Sequence, residues 1–327
     1  MGKPNEDTVE LAALEWLSEV GFDTEHGATI APEGSAPERE TFQDVVLIGR
    51  LRSAIARLNP TLPDDAREDA LRKVLRPELP TVIQNNRAFH QRLRDGVEVE
   101  YRRDDGSIAG DHAKLISDTP SLNDYFAVNQ FVVKEHGHDR RLDIVLFVNG
   151  LPLVVIELKN LADDQTTVDK AFSQLQTYKS EFPTLFGYIE LLVASDGRSA
   201  RMGSLTAGRE WFKPWRAIDS ETPVKGLSEL EVLIRGAFDP QRLIRLIQNF
   251  IVFEEDSDSG KVHKILAGYH QFHAGAKAIE ATIEATRNDG SRQCGVVWHT
   301  QGSGKSLSNL WFTQKVLRQV PGNWTFV

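Results

Sequence analysis

Apolar and polar positions along the chain change period several times, and each change marks an expected element. From about Asp7 to Val20, Val9, Leu11, Leu14, Trp16, Leu17 and Val20 recur at helical spacing. Residues 24–41, rich in Gly, Ala, Pro and Ser, read as a loop. Helices follow at 42–58, 63–75 and 83–95, the second opening with Pro63-Asp64-Asp65 in positions that suit a helix N-terminus. Shorter runs rich in β-branched and aromatic residues then predict strands at 97–103, 126–134, 142–148, 152–158 and 187–194. A helix is expected at 167–181, a turn at Ser195-Asp196-Gly197 and another helix near 239–253. The alternation is that of an α/β protein with a mixed sheet flanked by helices.

The densest information lies between Asp143 and Lys159, DIVLFVNGLPLVVIELK, where two apolar runs join at Asn149-Gly150. Asn-Gly between apolar runs is a strong hairpin signal. Side chains alternate faces along a strand, so Glu157 and Lys159 share a face. A carboxylate in such a strand costs several kcal/mol unless it is paired or bound to metal, so stability explains it poorly. A two-residue loop pairs Val148 with Leu151 and leaves Asp143 opposite Ile156, facing away from Glu157. A three-residue loop, Asn149-Gly150-Leu151, pairs Val148 with Pro152 and sets Asp143 across from Glu157. An odd loop or a bulge is therefore expected. Two converging carboxylates make a hard-oxygen site suited to Mg²⁺, with Lys159 placed to orient water or to offset developing negative charge. That chemistry suits phosphodiester hydrolysis.

Near the end of the chain, Gly295-Val296-Val297-Trp298 reads as a strand, followed by His299, Thr300, Gln301, Gly302, Ser303, Gly304, Lys305 and Ser306, then helical spacing from Leu307 to Val320. Strand, glycine loop and helix are the context of a phosphate-binding loop. The glycines let backbone N–H groups approach phosphates, Lys305 reaches β/γ oxygens and Ser306 suits Mg²⁺. His299 stands where the simple pattern has its first glycine. No Asp or Glu follows Lys305, so the acidic element of a complete ATPase is not expected here, and the chain reads as the N-terminal part of a longer polypeptide.

Asp143 followed by Glu157-Leu158-Lys159 resembles the PD-(D/E)xK nuclease signature. The phrases TFQDVVLIGRLRSAIARLNP from Thr41, NNRAFHQRLRDGVEVEYRR from Asn85, NGLPLVVIELKN from Asn149, AFSQLQTYK from Ala171, VASDGRSARMGSLTAGREWF from Val193 and WHTQGSGKS from Trp298 resemble, in order, the R subunit of type I restriction enzymes. The resemblance implies a PD-(D/E)xK nuclease domain and the start of a RecA-like, superfamily 2 motor; residues 254–260, acidic and without an apolar residue, read as the linker between them, which bounds the domains at 1–253 and 261–327. It implies cleavage of double-stranded DNA by Asp143, Glu157 and Lys159, with Mg²⁺ held by Asp143 and Glu157. Gln174 and Tyr178 match the family's Q-x-x-x-Y element as supporting residues. Gln271, beside Tyr269 and Ala274, falls where an amide selects adenine, so ATP is expected on Gln271, Thr300, Gly302, Ser303, Gly304, Lys305 and Ser306. Methyltransferase and specificity subunits are the implied partners. In some related nucleases a first-helix acid joins the metal, which makes Glu6 and Glu10 candidates beside their simpler reading as surface charge.

Composition narrows this picture. The formal charge is −9, from 38 Lys and Arg against 47 Asp and Glu, so DNA contact must be local. Arg50, Arg52, Arg57, Arg92, Arg94, Arg102, Arg103, Arg140 and Arg141 are the candidates, and solvated helix faces are the plainer account of most. A single cysteine, Cys294, leaves no disulfide framework, and no apolar run approaches a membrane span, so a reducing cytoplasm is the expected compartment. His263, His270 and His273 invite a metal reading, the last two being three apart, but no cysteine or nearby third ligand completes a set, so they are not read as a metal site. Two rivals remain: a non-cleaving DNA clamp or assembly platform of a translocase, and a repair-type nuclease-helicase.

Overall fold

A computed structural model of the chain describes every residue except 1–5, 104, 160–166, 221, 288, 299, 303 and 327. Helix α1 (Glu6–Glu19) leads into a short strand, β1 (Asp23–His26). Helices α2 (Ile48–Leu58), α3 (Asp64–Leu75) and α4 (Val82–Asp95) follow, then the hairpin β2 (Val97–Arg102) and β3 (Ile108–Ala113). Three long strands come next, β4 (Tyr125–Glu135), β5 (His138–Val148) and β6 (Leu151–Leu158), then α5 (Thr167–Glu181), α6 (Pro183–Phe186), β7 (Leu191–Ser195) and β8 (Ala200–Gly203). The remainder is α7 (Glu229–Ala237), α8 (Pro240–Asn249), the hairpin β9 (Ile251–Glu255) and β10 (Val262–Leu266), α9 (Tyr269–Thr286) and α10 (Lys305–Gln319).

Six strands form one mixed sheet in the order β1-β4-β5-β6-β7-β8, with β1–β4 and β6–β7 parallel and the other pairs antiparallel. Helix α1 packs on β1, β4 and β6, while α5 packs on β6 and β7. Every residue of β6 and the run Leu142–Val148 of β5 is buried. Strands at the centre of a covered sheet read as continuous apolar runs, which is why these two show no alternation.

The β5–β6 connection departs from the expected three-residue loop. Val148 pairs with Leu151, so the loop is the two residues Asn149 and Gly150, with φ of 53° and 79°. Both values are left-handed, as the tight hairpin turn requires. The odd residue lies inside the strand instead. Phe147 pairs with Pro152 but Leu146 with Val154, which makes Leu153 a bulge. Pro152 has no N–H to give to a ladder, and proline within a sheet collects at such irregularities.

Other expectations shift for local reasons. The helix expected at 42–58 begins at Ile48, because Leu47 N–H is taken by Gly150 O at 2.9 Å and Thr41 N–H by Asp44 Oδ2 at 2.7 Å. Within the expected loop at 24–41, β1 forms by pairing with Phe126–Asn129 of β4. The strand expected at 187–194 starts at Leu191, after the turn of helix α6. The helix expected at 239–253 stops at Asn249, since Ile251, Val252 and Phe253 pair with Leu266, Ile265 and Lys264. Residues 254–260, read from their acidity as a linker, are the end of β9 and the turn of this hairpin, closed by Asp256 accepting from Ser259 N–H at 2.7 Å. The strand expected at Gly295–Trp298 does not form. Val296 and Trp298 are each 89% exposed, and a strand needs a neighbour to take its backbone groups.

Candidate active site

Beyond the bulge, the β5–β6 ladder pairs Ile144 with Ile156, which sets Asp143 across from Glu157 on one face. The sequence expected this convergence through a longer loop; the bulge achieves the same parity. Glu157 is fully buried and Asp143 is 8% exposed. Leu158 N–H donates to Asp143 Oδ2 at 2.6 Å, and Lys159 Nζ donates to Glu157 Oε1 at 2.6 Å. Lys159 lies just past β6, fixed by its N–H to Ser195 O at 2.9 Å, with its side chain 21% exposed. The three residues thus meet at the rim of the sheet, two inside and one reaching solvent.

The electrostatics follow from this burial. Loss of water and, less strongly, the nearby Glu6 and Glu10 charges raise Asp143 to about 6, against the Leu158 N–H and Lys159. Burial and the facing Asp143 carboxylate raise Glu157 to about 8, against the pull of Lys159. Burial opposes charge on Lys159 too, but Glu157, Asp143 and Glu6 together hold it above its usual value. Glu157 Oε2 is buried and has no hydrogen-bond partner among the described residues. Two apposed carboxylates, one with a free buried oxygen, fit a divalent cation, whose charge would remove the penalty both acids carry. Asp143 and Glu157 are the side chains that would hold it. Among the described residues no group of three or more His, Cys, Asp or Glu side chains is arranged for a metal ion, so this site offers a carboxylate pair.

The first-helix acids divide. Glu6 Oε1 lies 3.9 Å from Lys159 Nζ at the solvent side. Glu10 is buried, with Asn129 Nδ2 donating to Oε1 at 2.6 Å and Gln130 Nε2 donating to Oε2. Both oxygens of Glu10 are therefore occupied by amides. Nothing in the sequence singled out Asn129 or Gln130. Gln130 has φ 55° and sits opposite Asp143, in a ladder that pairs Asn129 with Ile144 and Phe131 with Leu142.

Helix α5 brings Gln174 and Tyr178 to the same place. Four residues apart, they share a helix face, and Gln174 Nε2 donates to Tyr178 OH. The Tyr178 hydroxyl is pushed well above its ordinary value by burial and, next, by the Glu157 charge. The phenol therefore stays protonated as a neutral donor beside the carboxylates.

The second constellation is partly visible. Gln271 Oε1 accepts from Gly268 N–H at 2.9 Å and its Nε2 donates to Gly304 O at 3.2 Å, which brings α9 to the glycine loop. Gly302 and Gly304 have φ of 80° and 77°, and Gly304 leads directly into α10. Lys305 Nζ donates to Thr300 O at 3.2 Å, and Ser306 is exposed on the first turn of the helix. Ser303 and His299 lie outside the described residues.

Two known families match separate parts of the chain. Residues 3–211 match the family described as the type I restriction enzyme R protein N terminus, and residues 270–327 match the SWI2/SNF2 ATPase family. The type I restriction enzyme HindI endonuclease subunit of Haemophilus influenzae is 37% identical over 320 residues, covering 96% of this chain and 30% of that protein. A Methanocaldococcus jannaschii protein provisionally named the MjaIXP type I restriction enzyme endonuclease subunit is 31% identical over 347 residues, covering 98% of this chain and 32% of its own length. The chain thus spans about a third of the length of these relatives. No helix among the described residues is long and apolar enough to cross a membrane. A match over most of the chain, around the Asp143–Glu157 pair, places it in the type I restriction enzyme R protein family, to whose N-terminal region it corresponds.

Proposed function

We propose that this region cleaves double-stranded DNA in a Mg²⁺-dependent reaction of the PD-(D/E)xK kind, as the nuclease part of a type I restriction enzyme working in the cytoplasm. The observation that carries this reading is the buried Asp143–Glu157 pair with Lys159 on Glu157 and one Glu157 oxygen without a hydrogen-bond partner among the described residues. A non-cleaving platform has no use for two carboxylates whose burial costs stability.

Bound at the pair, Mg²⁺ would supply charge neutralisation at the scissile phosphate and a more acidic water. The chain's own residues supply the rest. Leu158 N–H holds Asp143 in place, and the β5–β6 register holds Glu157 opposite it. Lys159, partly exposed, is the group that meets the phosphate or orients the attacking water. Tyr178 and Gln174 stand on α5 beside the carboxylates as neutral hydrogen-bonding groups.

The glycine loop and Gln271 support ATP binding: Gln271 is already joined to Gly304, and Lys305 and Ser306 open α10 at its N-terminal end. In the longer polypeptide, ATP turnover would drive DNA translocation and so deliver DNA to the nuclease, with methyltransferase and specificity subunits choosing the site. A net charge of −9 suits a cleaving module that does not find DNA by itself.

The test is cleavage of unmethylated plasmid by the full-length protein assembled with its partners, with ATP and Mg²⁺. Glu157→Ala and Lys159→Ala should abolish cutting and leave ATP turnover intact. Cutting at the wild-type rate by either variant would overturn the assignment.

A further inference from the structure

The hairpin β9–β10 lies between the two segments matched by known families, residues 3–211 and 270–327. One of its side chains is inserted beside the central sheet. Lys264 and Glu190 both have side chains with no exposed surface. Lys264 Nζ donates to Glu190 Oε2 at 2.6 Å, to Asn86 Oδ1 at 2.8 Å and to Ile189 O at 3.3 Å. His90 Nδ1 lies 3.0 Å from the same Glu190 oxygen. The backbone of Lys264 is fixed as well, its N–H donating to Thr206 Oγ1 at 2.7 Å and its carbonyl accepting from Ser204 Oγ.

Both ends of this cluster lead to sites already described. Glu190 immediately precedes β7, and its N–H donates to the carbonyl of the bulge residue Leu153 at 2.8 Å. Strand β7 then pairs Ala194 with Glu157. In the other direction, β10 runs on to Gly268, whose N–H is accepted by Gln271, the residue bonded to Gly304.

A fully buried ion pair is a weak stabiliser, because removing both charges from water offsets their attraction; apolar residues of similar volume often serve as well or better. What such a pair does that an apolar contact cannot is fix one register. A methylene surface tolerates sliding by an ångström, whereas an ammonium held by two side chains and a carbonyl does not.

We propose that Lys264 is a positioning residue for DNA cleavage: through Glu190 and β7 it holds β6 where Glu157 meets Asp143, and through β10 it ties that register to the glycine-loop side of the protein. The inference rests on the nuclease reading of the Asp143–Glu157 site. Contiguity alone does not establish coupling, so the experiment separates positioning from stability.

The experiment uses the full-length protein assembled with its partners and measures Tm, ATP turnover and plasmid cleavage in parallel. Lys264→Met strands the buried Glu190 carboxylate and should lower Tm and cutting together. Adding Glu190→Gln removes the stranded charge and should bring Tm and ATP turnover back to wild type, with cleavage still about tenfold slow. Cutting at the wild-type rate by this double variant, at wild-type Tm, overturns the proposal and reduces the pair to packing. Should the double variant not regain Tm, Thr206→Val decides, since it keeps the ion pair and removes the hydroxyl that accepts from Lys264 N–H. A severalfold loss of cutting with unchanged ATP turnover then supports the proposal, and unchanged cutting overturns it. A wild-type protein that turns over ATP without cutting overturns the nuclease reading and this inference together, an outcome distinct from wild-type cutting that the variants leave untouched.

Discussion

Asp143 and Glu157 face one another because Leu153, four residues before Glu157, bulges out of β6. Without that extra residue the two-residue turn at Asn149-Gly150 would set Asp143 opposite Ile156, and the carboxylates would lie on opposite faces of the sheet. The turn therefore matters as much as the acids. Gly150 has φ 79°, and a Cβ there would lie 2.4 Å from Leu47 O. Gly150→Ala should cost roughly 2 kcal/mol or more, from left-handed strain plus a backbone clash. Gly106, at φ 83° with nothing within 4 Å of its would-be Cβ, carries only the strain, so Gly106→Ala should cost about 1 kcal/mol. Denaturant unfolding of the two variants should show that order; equal losses would mean the Leu47 contact is not rigid.

The raised carboxylates make stability fall with pH. Glu157 moves from 4.5 to about 8 on folding, so between those values the native protein keeps a proton that the unfolded chain has released. Stability is then full below about 4.5 and is lost as pH rises toward about 8. At about 1.4 kcal/mol per pKa unit the effect is on the order of a few kcal/mol. Glu157→Gln should flatten this slope and be more stable than wild type at pH 8 without Mg²⁺. Urea unfolding at pH 5 and pH 8 measures it, and a wild-type protein more stable at the higher pH would contradict the burial argument.

The same shift links metal to protons. Cations bind ionised carboxylates, so at pH 7 the proposed Mg²⁺ would have to displace the proton that Glu157, at about 8, mostly retains. Titration calorimetry in two buffers of different ionisation heat should show close to one proton released per site at pH 7, and less at pH 9. At limiting Mg²⁺, cleavage should rise with pH up to about 8. Binding with no buffer dependence would mean the acids are already ionised.

How much of this was legible follows from the range of each interaction. The apolar runs of β5 and β6, their Asn-Gly join, Glu157 and Lys159 are local, and the sequence places them; Pro152 inside the second run was the sign that the irregularity belonged in the strand rather than the loop. Ile251–Phe253 read equally well as the end of a helix, and only Val262–Leu266, beyond an acidic turn, makes them a strand. Val296 and Trp298 have the composition of a strand and no neighbour among the described residues, so they stay exposed. The amides on Glu10 lie 119 and 120 residues from it, and Lys264 lies 74 from Glu190, with no local pattern to announce either pairing.

Tyr178 tests whether α5 is part of the site or only its wall. Its hydroxyl accepts from Gln174 and lies close enough to Glu157 and Asp143 for both charges to raise it. Tyr178→Phe removes the phenol and leaves the ring packing against Phe182 in place. The variant should lose about 1 kcal/mol of stability with the hydrogen bond. Cleavage should fall about tenfold with ATP turnover unchanged. Wild-type cutting would reduce Gln174 and Tyr178 to an ordinary helix face.

Gln271 gives the last prediction, on the nucleotide side. Its amide bridges Gly268 N–H and Gly304 O, so it both orders the glycine loop and presents a side chain able to accept from and donate to an adenine edge. Gln271→Ala removes both functions and should weaken ATP binding by the full-length protein about tenfold or more. Gln271→Glu keeps the acceptor that holds Gly268 N–H and replaces the donor to Gly304 O with a second oxygen, so it should preserve the start of α9 while weakening ATP. Fluorescent-nucleotide titration with ATP and GTP as competitors separates the roles. Selective loss of ATP over GTP marks adenine recognition, an equal loss of both marks loop ordering alone, and unchanged affinity for both would remove Gln271 from the nucleotide site.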